Sequence, residues 1–231
     1  KDETIERFLN IFNNKEISLS DRIQWRSQKN LLAYFIDKLF QNQKIPLTSN
    51  LWSIANICFN GPDEILKLTE NTQPALLVHS TMALKILREN GIDSVVSAGH
   101  SLGEFSALVA AGALRFKDAL RLVRLRGQFM QEAVPVGVGT MAAIIGLPIE
   151  TLQKLCSQVS RQNCMVQTAN LNSPVQTVIA GHKEAVEQAS EKALEAGAKK
   201  ALPLPVSAPF HSALMKPAEI KLQKELDQTK F

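Results

Sequence analysis

Gly99-His100-Ser101-Leu102-Gly103 sets one serine between two glycines, with Val95-Val96 before it and an alanine-rich stretch after it. This is G-x-S-x-G in the strand, sharp turn and helix context that gives the motif chemical meaning. Such a turn lifts a serine hydroxyl to the top of a sheet. The two glycines let the backbone bend and the helix approach. A free serine hydroxyl is a poor nucleophile and needs a base and oxyanion donors. The backbone N–H of Leu102, the next residue, is placed to be one such donor. The base candidate is His211, far downstream in Pro205-Val206-Ser207-Ala208-Pro209-Phe210-His211. Together these residues read as covalent acyl transfer through serine. Plainer readings stand beside each. Ser101 alone suits a helix cap, and a histidine between a strand and a helix is commonly exposed. His100 is expected to point away from the nucleophile and to be structural. His79 and His182 read as surface or helix-start residues.

Arg126 lies beside the apolar stripe Leu120, Val123, Gly127 and Met130 of a helix expected over 118–133. It is either an ordinary flanking arginine or a clamp for a substrate carboxylate.

The elements that must position these residues follow from periodicity. Residues 1–45 read as helical, with Ile5, Phe8, Leu9 and Phe12 on one stripe and Leu31, Tyr34, Phe35, Leu39 and Phe40 on another. Residues 46–62 read as irregular, 63–70 as a short helix, and Pro74 as the opening of a helix to Glu89. A strand over 94–98 precedes the serine turn, and a helix over 102–111 follows it. Beyond a flexible-looking junction at 135–139 the pattern changes. Strands are expected at 141–147, 165–171, 176–180 and 201–206, with helices at 150–159 and 183–196. Strand-helix-strand-strand-helix-strand is the ferredoxin-like order. The fold class is therefore α/β: a parallel-sheet, hydrolase-like large part over 46–139 and 206–231, a small ferredoxin-like insert over 140–205, and an atypical helical segment over 1–45.

With 231 residues, 45% of them hydrophobic, the chain supports a sizeable core. The net charge of +4 is mild, and no Lys/Arg block has the density of a nucleic-acid arm. It suits a solvated surface, or an acidic partner or phosphate-bearing ligand. Cys58, Cys156 and Cys164 are odd in number and lack metal-ligand spacing, so they read as reduced thiols of a cytoplasmic protein. No apolar run spans a bilayer and no signal-peptide pattern is visible. The chain opens on Lys1, which reads as the start of a fragment.

From about Leu51 to Leu226 the sequence resembles the malonyl-CoA:acyl-carrier-protein transacylases and, more widely, the acyltransferase domains of fatty acid and polyketide synthesis. The resemblance rests on Asn71-Thr72-Gln73-Pro74-Ala75-Leu76-Leu77, Ala98-Gly99-His100-Ser101-Leu102-Gly103-Glu104 and Arg126-Gly127-Gln128-Phe129-Met130-Gln131. It continues through Met141–Leu147, Asn172-Ser173-Pro174, Leu202–Ser207 and Ala213-Leu214-Met215-Lys216-Pro217. It implies that Ser101 carries the acyl group as an ester, that His211 is the base, and that Arg126 pairs with the free carboxylate of malonate. Gln73 and Asn170 would line the site, with Asn172 as the alternative to Asn170. Phe210 would crowd a substituent on the malonyl α-carbon, a discrimination of about 1–3 kcal/mol. Malonyl-CoA would be a substrate, with no permanently bound cofactor and no metal. The partner would be an acyl carrier protein, docked with help from Lys199, Lys200 and Lys216. Nucleic acid and membrane are not expected partners, and a monomer is expected.

Two family features have no counterpart here. Residues 1–50 hold no Gly-Gln-Gly-Ser-Gln loop, the family's source of a second oxyanion donor. The carbonyl that orients the family's histidine falls beyond Phe231. A fragment, a diverged gene and a rebuilt N-terminus each account for this. The rival functions are a serine acyl hydrolase and an impaired family member that binds carrier protein.

Overall fold

The computed structural model describes residues 57–231 apart from Phe59, Val136 and Ser207. The helical stripes expected over 1–45 lie outside the described residues.

Among the described residues the helices named before the sheet are α1 (Asp63–Leu66), α2 (Thr69–Glu89), α3 (Gly103–Ala110) and α4 (Phe116–Ala133). On α4 an apolar stripe of Ala119, Leu122 and Val123 closes on Leu77 of α2, Phe105 of α3 and Leu102. Gly127 lets α2 and α4 meet: a Cβ there would lie 2.5 Å from the Glu70 Cα.

Helix α2 opens at Thr69, five residues before Pro74, where it was expected to begin. An internal proline has no N–H for the carbonyl four residues back and normally breaks the helix. Here that carbonyl, Glu70 O, accepts a hydrogen bond from Arg124 Nη1 of α4 at 2.7 Å. Arg124 also donates to Asn71 Oδ1 and lies 3.5 Å from the Glu70 carboxylate. The helix therefore runs through Pro74, and Gln73 becomes a helical residue rather than a loop residue.

Next along the chain come β1 (Gly139–Ile145), α5 (Ile149–Val159), β2 (Val166–Ser173), β3 (Gln176–His182), α6 (Lys183–Glu195) and β4 (Lys200–Pro203). They form one four-stranded sheet in the order β2-β3-β1-β4, with every neighbouring pair antiparallel. Ala142, Ile144, Val166 and Ile179 face α5 and α6, packing on Leu152, Cys156, Val186 and Ala189. Met141, Ala143, Val178 and Ala180 face the other way and are covered by Leu204, Val206 and Phe210. Both faces are buried, which is why β1 and β3 read as continuous apolar runs rather than alternating ones.

Two expectations need correction. The segment 94–98 forms no strand and bends at Val95, and Val95 and Val96 are 106% and 80% exposed. A strand is defined by its ladder, and among the described residues none pairs with this segment. The expected parallel sheet is accordingly absent among the described residues, where the antiparallel sheet stands alone. The other correction is a gain. A 3-10 turn (Ala213–Met215) leads into α7 (Lys216–Asp227), which sequence reading passed over. Its signals were Pro217 in the first turn and the Leu222/Leu226 pair, which packs on the α4 core.

Candidate active site

The serine turn is tight because Gly99 has no side chain. A Cβ there would lie 1.9 Å from the carbonyl group of Gly103. Gly103 itself is not needed for close approach, since a Cβ on it would meet nothing within 4 Å. Ser101 has φ +55°, an uncommon left-handed value for a residue other than glycine. The turn is closed by Gly103 N–H to His100 O at 2.9 Å and Glu104 N–H to Ser101 O at 3.2 Å, and α3 follows directly. The Leu102 N–H finds no acceptor among the described residues.

His211 is the second left-handed residue of the site, with φ +57°. Its loop is held from beneath by a hydrogen bond from Ser212 Oγ to Pro209 O at 2.7 Å. Its Nε2 lies 2.9 Å from Ser101 Oγ. The two residues are 110 positions apart and belong to different parts of the fold. A pair of unusual backbone conformations that converges on one hydroxyl is a pattern found at functional sites.

Arg126, half-buried on α4, completes the cluster. Its Nη2 donates to Ser101 Oγ at 3.1 Å and its Nη1 to Gln73 Oε1 at 2.6 Å. Gln73 is buried, and its amide donates to Thr69 Oγ1 at 2.9 Å and to Met130 Sδ at 3.4 Å. The resting hydroxyl thus accepts from Arg126, leaving its own proton for a neutral His211. Burial lowers the Arg126 pKa, and the Glu104 carboxylate opposes that shift. Burial also pulls the His211 imidazole below its ordinary pKa, and the positive charges of Arg126 and His100 add to the effect. A base held neutral by its surroundings is fit to accept a proton near neutral pH.

The other expected site residues fall as follows. Asn170 of β2 sits at the site's edge, its Nδ2 3.3 Å from His100 Nε2. Asn172 lies at the exposed hairpin end and donates to Gln176 Oε1 at 3.2 Å, so Asn170 is the asparagine near the serine turn. Phe210 is half-buried between the sheet face and the cluster formed by Met130, Val134 and Ala208. His100 departs from expectation. Its ring does not point away but lies 6.4 Å, centroid to centroid, from that of His211. The φ of Ser101 turns the chain sharply, so the residue before it stays over the site. His182 ends β3 at the N-cap of α6 and accepts the Met165 N–H through Nδ1 at 3.1 Å, and His79 is exposed. Sequence reasoning missed Glu104, Thr69 and Met130 as supports of Arg126 and Gln73. Helical spacing signals only Thr69, four residues before Gln73; Met130 reaches Gln73, and Glu104 acts on Arg126, from other helices, with no local signal in the sequence.

Among the described residues, no three His, Cys, Asp or Glu side chains are placed to hold a metal ion. All three cysteines are unpaired. No described helix is long and apolar enough to cross a membrane.

The acyl transferase domain family matches residues 43–230. The malonyl CoA-acyl carrier protein transacylase of Bacillus subtilis (strain 168) is 55% identical over 174 residues, covering 75% of this chain and 55% of that protein. The protein of the same name from Escherichia coli (strain K12) is 49% identical over 197 residues, covering 85% of this chain and 62% of its own. Among solved structures, the malonyl CoA-acyl carrier protein transacylase of Coxiella burnetii aligns at a TM-score of 0.74 with 46% identity, over 77% of this chain and 56% of that one. A malonyl-transacylase in complex with its type II acyl-carrier protein aligns at 0.74 with 51% identity, over 77% and 58%. The chain thus spans a little over half the length of the relatives it matches.

Proposed function

We propose that this chain, which belongs to the acyl transferase domain family, moves a malonyl group from malonyl-CoA to the phosphopantetheine thiol of an acyl carrier protein. The observation that carries this reading is the convergence of His211 Nε2 and Arg126 Nη2 on Ser101 Oγ, at 2.9 and 3.1 Å. A hydrolase acting on plain acyl esters has no use for a half-buried guanidinium beside its nucleophile. An acyl group with a free carboxylate has.

Neutral His211 takes the Ser101 proton through Nε2 while Oγ bonds to the thioester carbonyl carbon. The Leu102 N–H donates to the oxyanion. Collapse breaks the C–S bond, and His211 returns the proton to the departing sulfur. Coenzyme A thiol leaves and a malonyl ester stays on Ser101. In the return half-reaction the carrier thiol gives its proton to His211 and its sulfur attacks the ester carbonyl. Ser101 leaves with that proton. The guanidinium of Arg126 holds the malonyl carboxylate throughout, Gln73 fixes the guanidinium, Asn170 lines the edge, and Phe210 limits substituents on the α-carbon.

The antiparallel sheet with α5 and α6 is, in this reading, the ferredoxin-like small domain over 140–205. The part over 46–139 and 206–231 is, in this reading, the hydrolase-like large domain. The chain works in the cytoplasm as a monomer. The acidic carrier is met by Lys199, Lys200 and Lys216.

The test is intact mass after mixing with malonyl-CoA, beside Ser101→Ala, Arg126→Ala and a parallel acetyl-CoA sample. A malonyl adduct that vanishes in Ser101→Ala and weakens in Arg126→Ala supports the reading. A folded protein that forms no adduct but binds carrier protein overturns it in favour of a binding module.

A further inference from the structure

Strand β2 carries two irregularities in its pairing with β3, between Thr168 and Asn170 and between Leu171 and Ser173, and the first lies beside the site. Opposite β3, Gln167 pairs with Ala180 and Thr168 with Ile179, but Asn170, not Ala169, pairs with Val178. Two residues of β2 oppose one step of β3, which is a β-bulge. Paired residues of an antiparallel ladder share a face, and Ala180 and Val178 both face Phe210. In a regular strand, residues three apart point to opposite faces. The extra residue restores the parity, so Gln167 and Asn170 point to the same side, toward the catalytic loops. Bulges near active sites re-aim side chains in this way.

Each of these side chains takes hold of a different loop. Gln167 Oε1 accepts the N–H of Ala213, two residues after His211, at 3.0 Å. Asn170 Nδ2 lies 3.3 Å from His100 Nε2, on the residue before Ser101. The His211 loop thus has a tie within itself, Ser212 Oγ to Pro209 O, and a second to β2. A histidine at φ +57° persists only where its surroundings over-determine it.

We propose that the β2 bulge builds a two-point clamp in which Gln167 is a positioning residue for His211, acting through the Ala213 amide, while Asn170 steadies the serine turn through His100. The clamp sets the 2.9 Å Nε2–Oγ distance across two loops that share no covalent neighbourhood. Its catalytic consequence rests on the acyl-transfer reading above, but its geometric consequence does not.

The test compares the folded protein with Gln167→Met, which keeps the side-chain length and removes the acceptor, and Gln167→Glu, which keeps an acceptor oxygen. Two readouts separate the clamp from the function. NMR titration of the His211 ring needs no substrate. Among the described residues, Arg126 and His100 are the charged or titratable groups that act on His211, and Glu104 acts on Arg126. When the loop slips, His211 leaves the Arg126 charge and gains water, so its pKa rises toward the ordinary histidine value in Gln167→Met. Ser101 acylation by malonyl-CoA is read at the alkaline plateau, where His211 is neutral in every variant. There Gln167→Met is slower by roughly tenfold or more, since a misplaced base costs that much, and Gln167→Glu stays within about threefold. The thermal midpoint is recorded for each variant. If the His211 titration is unmoved in a folded Gln167→Met protein, the clamp is refuted whatever the chemistry. A shifted titration in a protein that malonyl-CoA never acylates keeps the clamp and refutes the acyl-transfer reading.

Discussion

Removing the Arg126 guanidinium gives the sharpest test of why this site would take a carboxylate-bearing acyl group. At rest the guanidinium is already engaged, with Gln73 Oε1 at 2.6 Å and Ser101 Oγ at 3.1 Å. A malonyl carboxylate must displace the Ser101 contact and gain a charge-assisted pair in its place. Breaking a buried ion pair costs about 3–5 kcal/mol. The resting hydrogen bond from the Arg126 cation to Ser101 that is surrendered offsets about 1.5 kcal/mol of that. Arg126 is only half-buried, so about 2–3 kcal/mol remains as the net discrimination. At about 1.4 kcal/mol per decade, Arg126→Ala lowers kcat/KM for malonyl-CoA by about 30- to 160-fold. Acetyl-CoA has no carboxylate to lose. Its acylation of Ser101 holds or rises, because the hydroxyl is no longer hydrogen-bonded to a cation that draws its electron density. Arg126→Lys keeps the charge without the fork and falls between the two. The assay is single-turnover acylation followed by intact mass with both thioesters. An equal loss for malonyl and acetyl refutes the reasoning, since Arg126 would then serve the nucleophile or the fold and not the carboxylate.

The remaining predictions concern the base and the scaffold. As the proposed base, His211 would act only when neutral, and burial with Arg126 and His100 nearby holds its pKa below the ordinary value. The acid limb of the acylation profile therefore lies below that of a free histidine, and Arg126→Gln moves it to higher pH by removing a charge that disfavours the imidazolium. A limb unmoved in that variant counts against the assignment. Gly127→Ala sets a methyl 2.5 Å from the Glu70 Cα, where only backbone can give way. Overpacking of this kind costs about 1–3 kcal/mol, read by denaturant unfolding. A neutral result places the α2–α4 contact elsewhere.

Much of this arrangement is legible in the sequence. The G-x-S-x-G turn, the distant histidine and the arginine at the edge of an apolar stripe were each identifiable by type and spacing. So was the alternation of strands and helices after Gly139. What escaped was set by partners far along the chain. Pro74 reads as a helix start because local rules forbid it an interior place. It sits inside α2 because Arg124, fifty residues on, takes the carbonyl that the proline leaves free. The segment 94–98 reads as a strand from its valines, but a strand also needs a neighbour to pair with, and none of the described residues pairs with it. His100 reads as pointing away under ordinary backbone geometry, and the left-handed φ of Ser101 reverses that.

The site residues come from elements that share few local constraints: a helix end for Gln73, a turn for Ser101, a helix interior for Arg126 and a loop for His211. Each is made rigid by a contact that does no chemistry itself. Gly99 allows the turn to close on Gly103, Arg124 lets α2 pass through a proline, and Gln167 ties the base loop to β2. These supports are hard to see in sequence for the same reason that they work. A glycine that only removes a clash carries no periodicity, and neither does a glutamine aimed by a bulge or an arginine spent on a carbonyl. Substitutions at these positions should therefore be read first for altered geometry at Ser101 and His211, and only then for lost contacts of their own.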